Sequence, residues 1–171
     1  MIKLLFLVFI AFFFTNCSTK NLSPLNVSDY FWSAQQSQKL DDAKKFVREV
    51  DKKNIALQKG IKIKSAKFEK AIVDGDTATV PTKLTIEGIL SKAKKDEVLL
   101  SFDTKLDNTK EGWKVNLAET KKLLYIETAK TLSKGLGDEI LKQLQERMGD
   151  FKQFQSIFEE MLSGMKKSLQ K

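Results

Sequence analysis

The sequence predicts an α+β protein, with N-terminal helices packed on a four-stranded antiparallel sheet and a helical tail after the sheet. Three changes of pattern lead to this prediction. Apolar residues recur at helical spacing from Val27 to Val50, alternate with polar residues from Ile61 to Leu117, and return to helical spacing after Ala118. Helices followed by a run of strands are typical of α+β folds, because one face of the sheet needs a cover.

Two short helices are predicted before the sheet. The first begins near Val27, with either Asn26 or Ser28 as its cap. The second begins at Asp41, where charged residues separate the apolar ones. The apolar face of the first is formed by Val27, Tyr30, Phe31 and Ala34, and that of the second by Leu40, Ala43, Phe46, Val47 and Val50.

Four strands are predicted in the alternating region. In the first, the alternation changes phase near Ser65, which predicts a β-bulge or bend. Asp74-Gly75-Asp76 predicts a tight turn before the second strand, and residues 107–112 predict another before the fourth. Pro81 has no N–H donor, so it favours an edge strand or a position without a ladder hydrogen bond. The inward residues of strands two to four are predicted to be Ala78, Val80, Leu84, Ile86, Val98, Leu100, Phe102, Leu106, Trp113, Val115 and Leu117.

The tail, residues 118–171, is predicted to be helical. Its first helix ends near Ser133, and Gly135-Leu136-Gly137 interrupts the pattern. The last segment carries a narrow apolar stripe formed by Phe151, Phe154, Phe158, Met161 and Met165. The stripe fits three arrangements: packing back onto the domain, which we favour, association with a partner helix or a second copy, and contact with the membrane.

Residues 1–16 are predicted to be a signal peptide. Lys3 precedes an unbroken apolar run from Leu4 to Phe14, which is about eleven residues long. A helix that spans a membrane needs about 20. Cys17, the only cysteine, follows almost at once.

The block Phe14-Thr15-Asn16-Cys17 resembles the lipobox of bacterial lipoproteins. The resemblance implies that diacylglycerol is attached to the Cys17 thiol, that cleavage precedes Cys17, and that acyl chains such as palmitate hold the mature protein on a membrane. It implies a cell-envelope location facing the periplasm, and Ser18, in place of the inner-membrane retention Asp of some lipoproteins, favours the outer membrane. Residues 17–26 are then a lipidated tether, whose nine residues after the cysteine reach about 30 Å.

The composition excludes several kinds of site. The chain contains no histidine and one cysteine, so a Ser-His-Asp triad, a typical zinc site and a disulfide lack their residues. The formal net charge is +8, but Lys and Glu are interleaved, which favours a solvated surface over a nucleic-acid-binding one. We therefore predict no cofactor, no metal and no nucleic-acid partner.

Residues 27–117 resemble the small cone-shaped domains of the nuclear transport factor 2-like superfamily. The resemblance is carried by the first helix (Tyr30, Phe31, Ala34), by residues 74–80 and by Gly112-Trp113-Lys114-Val115. Enzymes of that superfamily place an Asp or Glu base and a Tyr or Asp donor inside the cone. Here Asp103 is predicted to point outward, and no other acidic residue is an evident inward candidate, so we predict no catalytic residue.

We predict a lipid-anchored, non-catalytic binding or scaffolding module. Its partners are the membrane, through acylated Cys17, and an envelope protein or a second copy, through the tail. The alternative is a carrier or an isomerase-like enzyme for a small hydrophobic molecule in the cone. The pocket would be lined by Phe31, Phe46, Phe68, Leu84, Phe102 and Trp113, which otherwise fill the core.

Overall fold

Helices cover a curled antiparallel sheet of five strands in the computed structural model, which describes residues 19–57, 62–87 and 97–132. This confirms the predicted α+β class. The helices are α1 (Pro24–Gln36), α2 (Leu40–Ala43) and α3 (Leu117–Leu132), and the strands are β1 (Lys62–Phe68), β2 (Ile72–Asp74), β3 (Thr77–Glu87), β4 (Glu97–Thr109) and β5 (Gly112–Val115). The predicted signal peptide, Cys17 and the predicted apolar stripe of the tail lie outside the described residues.

Helix α1 begins three residues earlier than predicted. Ser23 is its cap, because the Ser23 hydroxyl accepts a hydrogen bond from the Asn26 N–H at 3.2 Å, and Pro24 occupies the first turn. Residues Thr19–Asn21 form a 3-10 turn. The segment expected to be a free tether therefore contains folded backbone from residue 19 onward. Tyr30, expected on the buried face, is 48% exposed and stacks on Phe46 instead.

The second predicted helix is interrupted. Only α2 is α-helical, and the 3-10 turns Lys44–Phe46 and Glu49–Asn54 follow it. Between these turns Val47 is extended and forms a parallel bridge with Val115 in β5. A continuous helix would lose this pairing. As a result Val50, predicted to be buried, is 76% exposed.

The strands are ordered β1-β3-β4-β5, and β2 also pairs with β3. The predicted bulge is confirmed by a register shift between Ile63 and Ser65. The predicted turn is confirmed as well: it joins β2 to β3, and Gly75 has a positive φ of 55°. The sequence prediction missed β2, because Ile72 and Val73 are both exposed and show no buried face.

Pro81 lies in the central strand β3 and not at an edge. Its carbonyl accepts a hydrogen bond from the Glu69 N–H at 3.0 Å, in the break between β1 and β2. Because the nitrogen and the carbonyl of one strand residue face the same neighbour, the missing N–H also faces this break. The proline therefore costs the sheet no ladder hydrogen bond.

One face of the sheet forms the core, as the alternation predicted. Val80, Leu84 and Leu100 are fully buried, and α1 packs across this face. Leu117 begins α3 and does not belong to β5. Strand β5 pairs with β4 only from Leu106 to Thr109 of β4. Helix α3 packs along β4 and protects this edge of the sheet. The turn between β4 and β5 is shorter than predicted, since β4 continues to Thr109.

Candidate functional site

The six side chains predicted to line a pocket lie together in or against the hydrophobic core. Phe31 and Leu84 are fully buried and Phe102 is 8% exposed, whereas Phe46, Phe68 and Trp113 are partly buried and pack against the same cluster. The ring of Trp32 joins two of them, because it meets Phe31 and Phe102 edge-on with centroids 4.9 and 5.6 Å apart. A ligand among these residues would have to displace core contacts, and its presence stays a prediction.

A chain of buried hydrogen bonds crosses this core. The Trp32 indole N–H donates to the Thr104 hydroxyl at 2.9 Å, the hydroxyls of Thr104 and Thr82 are 2.7 Å apart, and Thr82 donates to the Val80 carbonyl at 2.8 Å. Each polar atom therefore has a partner, which a buried group needs. The helical periodicity leaves Trp32 off the buried stripe, so the sequence pattern did not predict this chain.

An open cleft of about 230 Å³ lies near the middle of β3 and β4. It is lined by Glu69, Pro81, Thr82, Lys83, Ser101, Phe102 and Asp103. Lys83 and Glu69 form an ion pair at 2.8 Å across it, and the hydrogen bond from Lys83 holds the pKa of the exposed Glu69 below its usual value. Asp103 points outward as predicted, with 42% of its side chain exposed, and pairs with Lys105 at 3.1 Å.

The most connected polar cluster lies where the 3-10 turn Glu49–Asn54 meets the end of β4 and the start of α3. Arg48 donates to Asp51 and to Asp107, each at 2.8 Å. Asp51 also accepts the first amide of α3, the Leu117 N–H, at 3.1 Å. Burial opposes the charge on Arg48, but the hydrogen bonds and charges of the two carboxylates outweigh it and raise the pKa of the guanidinium.

Asn116 completes the start of α3. Its side-chain oxygen accepts a hydrogen bond from the Glu119 N–H at 3.2 Å, and its amide donates to Asp107 at 3.2 Å. An Asn followed three residues later by Glu is a local helix-start signal that sequence reasoning could have found. The partners Arg48 and Asp107 are 59 residues apart, and no local pattern joins them. The hydrogen bonds of this cluster join the 3-10 turn Glu49–Asn54, the end of β4 and the start of α3, so the cluster has a structural role.

Lys121 on α3 is the most perturbed cation of the described residues. Its ammonium donates to the carbonyls of Asn54 and Ala56, the latter at 2.7 Å. Burial lowers its pKa to about 8, and the charge of Asp51 opposes this shift. The lysine connects α3 to the turn that carries Asp51, so it extends the same structural cluster.

The N-terminal end of the described chain is held against the turn between β4 and β5. Gly112 has a φ of 91°, and a Cβ atom built on it would lie 2.6 Å from the Lys20 carbonyl oxygen. Only glycine permits so close an approach at this φ. The backbone three residues after Cys17 is therefore part of the folded domain.

Only some of the residues predicted to carry function lie within the described parts of the chain. Among the described residues, no cluster of His, Cys, Asp or Glu could hold a metal ion. Over the same ranges, no helix has the length and apolar composition that crossing a bilayer requires. Cys17 and the stripe from Phe151 to Met165 lie outside these residues and stay predictions.

Among known proteins, only solved structures match the chain, and the match described here is a distant one. No protein-family model matches the chain, and no curated protein matches it. A solved structure from Nostoc punctiforme, a protein of unknown function with a cystatin-like fold, overlaps 53% of this chain and 81% of its own. The identity is 10% and the TM-score 0.36, and an overlap at this level does not assign the chain to that fold.

Proposed function

We propose that this protein is a lipid-anchored envelope protein whose domain acts as a non-catalytic binding or scaffolding module. The observation that carries the proposal is the position of Cys17, the only cysteine, directly after an apolar run of signal-peptide length. Acyl chains on this thiol contribute about 0.8 kcal/mol per buried CH₂, so two chains suffice for a stable anchor.

Two features of the domain support the non-catalytic part. The aromatic side chains that a cone pocket would use are packed in or against the core. The carboxylates that approach the interior, Asp51 and Asp107, are held by Arg48 and by helix α3. Their ion pairs and hydrogen bonds join segments of the fold, which is a structural role.

We also propose that the domain has the cone-like arrangement of the nuclear transport factor 2-like superfamily. Long antiparallel strands that curl over α1, with a bulge in β1, are consistent with it. The tail would then supply the partner surface through the stripe that contains Phe154 and Phe158.

The anchor is tested by replacing Cys17. We expect Cys17→Ala to abolish labelling of the protein by radioactive palmitate in living bacteria and to leave the precursor uncut, because the acceptor thiol is gone. The matched control is Ser18→Ala, which should keep both labelling and maturation. Labelling of the Cys17→Ala variant at the level of the unchanged chain would refute the anchor.

The partner surface is tested on the tail. Phe154→Asp should abolish a crosslink to an envelope protein or to a second copy, because a charge would enter an apolar interface. Gln155→Asp adds the same charge beside the stripe and should keep the crosslink. Reduced thermal stability of Phe154→Asp with an unchanged crosslink would instead show that the stripe packs on the domain.

A further inference from the structure

The short distance from Cys17 to the folded domain fixes which end of the domain faces the membrane. Three residue steps separate Cys17 from Lys20, and at about 3.3 to 3.6 Å each they span at most about 11 Å. The Lys20 backbone lies against Gly112, in the turn region between β4 and β5. A lipid attached to Cys17 therefore holds this turn close to the headgroups.

Several segments meet at the same end, which we call the proximal end: Lys20, the turn Gly75–Asp76 and the turn Lys110–Glu111. The two turns are neighbours, since the Asn108 N–H donates to the Asp76 carbonyl at 2.8 Å. The opposite end of the sheet, which we call the distal end, contains Lys62, Glu87 and Glu97. Lys62 lies opposite Glu87 in the ladder of β1 and β3, and Glu87 lies opposite Glu97 in the ladder of β3 and β4. Helix α1 runs between the two ends, because it starts after Lys20 and its last residue, Gln36, bonds the Lys64 carbonyl at 2.7 Å.

Exposed apolar side chains occur at the proximal end. Ile72 and Val73, 64% and 54% exposed, lie in β2, which ends one residue later at Asp74 and leads into the turn Gly75–Asp76. Leu25, 36% exposed, lies in the first turn of α1. The charges beside them are mixed, since Lys20 and Lys110 are accompanied by Asp74, Asp76 and Glu111. Apolar residues among mixed charges suit the interfacial layer of a bilayer and need no excess of anionic lipid.

We propose that the proximal end rests on the phospholipid surface, with Ile72, Val73 and Leu25 at the headgroup layer and the distal end pointing away. This inference rests on the proposed acylation of Cys17. The two ends are well separated, because β4 has 13 residues and its twelve steps of about 3.3 Å span about 40 Å. A label at the proximal end should therefore report lipid that a label at the distal end does not meet.

The test uses the full lipidated chain in vesicles of phosphatidylethanolamine and phosphatidylglycerol. Lys110→Cys and Lys62→Cys each replace one exposed lysine with a thiol, one at each end. Acylation blocks Cys17, so a bimane reagent labels the introduced thiol alone. A nitroxide on the lipid headgroup should quench the label at position 110 several-fold more than the label at position 62.

Mass spectrometry of the N-terminal peptide is measured on the same samples. Acylated Cys17 with equal quenching at both positions would overturn the orientation and leave the anchor intact. Unmodified Cys17 would overturn the anchor and the orientation together. A Gly-Ser linker as long as the domain, inserted between Ser18 and Thr19, should reduce the quenching at position 110 to the value at position 62. Unchanged quenching with this linker would overturn the short reach as the cause of the orientation, and the exposed apolar residues would then hold the proximal end on the lipid.

Discussion

Replacing Gly112 with alanine tests the contact that brings the N-terminal segment to the sheet. The φ of 91° is unfavourable for a side chain, which costs about 1 to 2 kcal/mol in left-handed backbone. The new Cβ would also lie 2.6 Å from the Lys20 carbonyl oxygen and 2.9 Å from its Cα, so backbone must move. We expect Gly112→Ala to lower the free energy of unfolding by about 2 to 4 kcal/mol in total.

The matched control is Gly75→Ala. Gly75 also has a positive φ, 55°, but nothing lies within 4 Å of the position that a Cβ atom would take there. This variant should lose about 1 kcal/mol from backbone strain alone. Urea denaturation of the mature chain with Cys17→Ser measures both, and trypsin cleavage after Lys20 should accelerate in Gly112→Ala only. Equal losses in the two variants would refute the contact between Lys20 and Gly112, and with it the short reach from Cys17.

Three further predictions concern the polar groups of the fold. Asp51→Ala should cost about 2 kcal/mol, because it removes one of the two carboxylates that pair with the partly buried Arg48 guanidinium and leaves the Leu117 amide without its acceptor. Asp41→Ala, at an ion pair whose carboxylate is 94% exposed, should change stability by less than about 0.5 kcal/mol, and equal effects in urea titrations would contradict this. The pKa of Lys121 is lowered to about 8 from 10.5, so between these values the unfolded chain binds more protons than the folded one, and this lysine makes the free energy of unfolding rise with pH. Relative to Lys121→Met, the unchanged protein should therefore gain stability from pH 8 to 10.5, and parallel pH profiles would refute the shift. Thr104→Val should destabilise by about 2 kcal/mol, more than Thr82→Val, because only the former removes the acceptor of the buried tryptophan N–H; the order is checked by thermal unfolding.

The sequence predicted the sheet well because a period of two records which face is buried. Val80, Leu84 and Leu100 are fully buried on the face that the alternation assigned to the core. The bulge near Ser65 was visible for the same reason, since a change of phase must be absorbed by an irregular residue. Strand β2 could not be predicted this way, because its two apolar residues face solvent.

The parts that the sequence did not predict depend on distant pairings. Val47 leaves its helix to bridge Val115, and Arg48 pairs with Asp107, in each case across more than half of the described chain. Neither pairing leaves a periodic signal near these residues. The spacing of the apolar residues therefore predicted one amphipathic helix where tertiary contacts produce the short helix α2 and two 3-10 turns.

The contact between Lys20 and Gly112 changes the distance that the predicted tether allows between Cys17 and the domain. Counted along the sequence, nine free residues after Cys17 would let the domain stand about 30 Å from its lipid. The contact of Lys20 with Gly112 shortens this reach to about 11 Å, so under the proposed acylation of Cys17 the lipid would cover the proximal end and leave the distal end accessible. If Gly112→Ala releases the turn Thr19–Asn21, six free residues up to Ser23 should restore a reach of about 20 Å. Headgroup quenching of a label on Lys110→Cys should then decrease while Cys17 stays acylated, and unchanged quenching would show that some contact other than Lys20 with Gly112 holds the domain at the membrane.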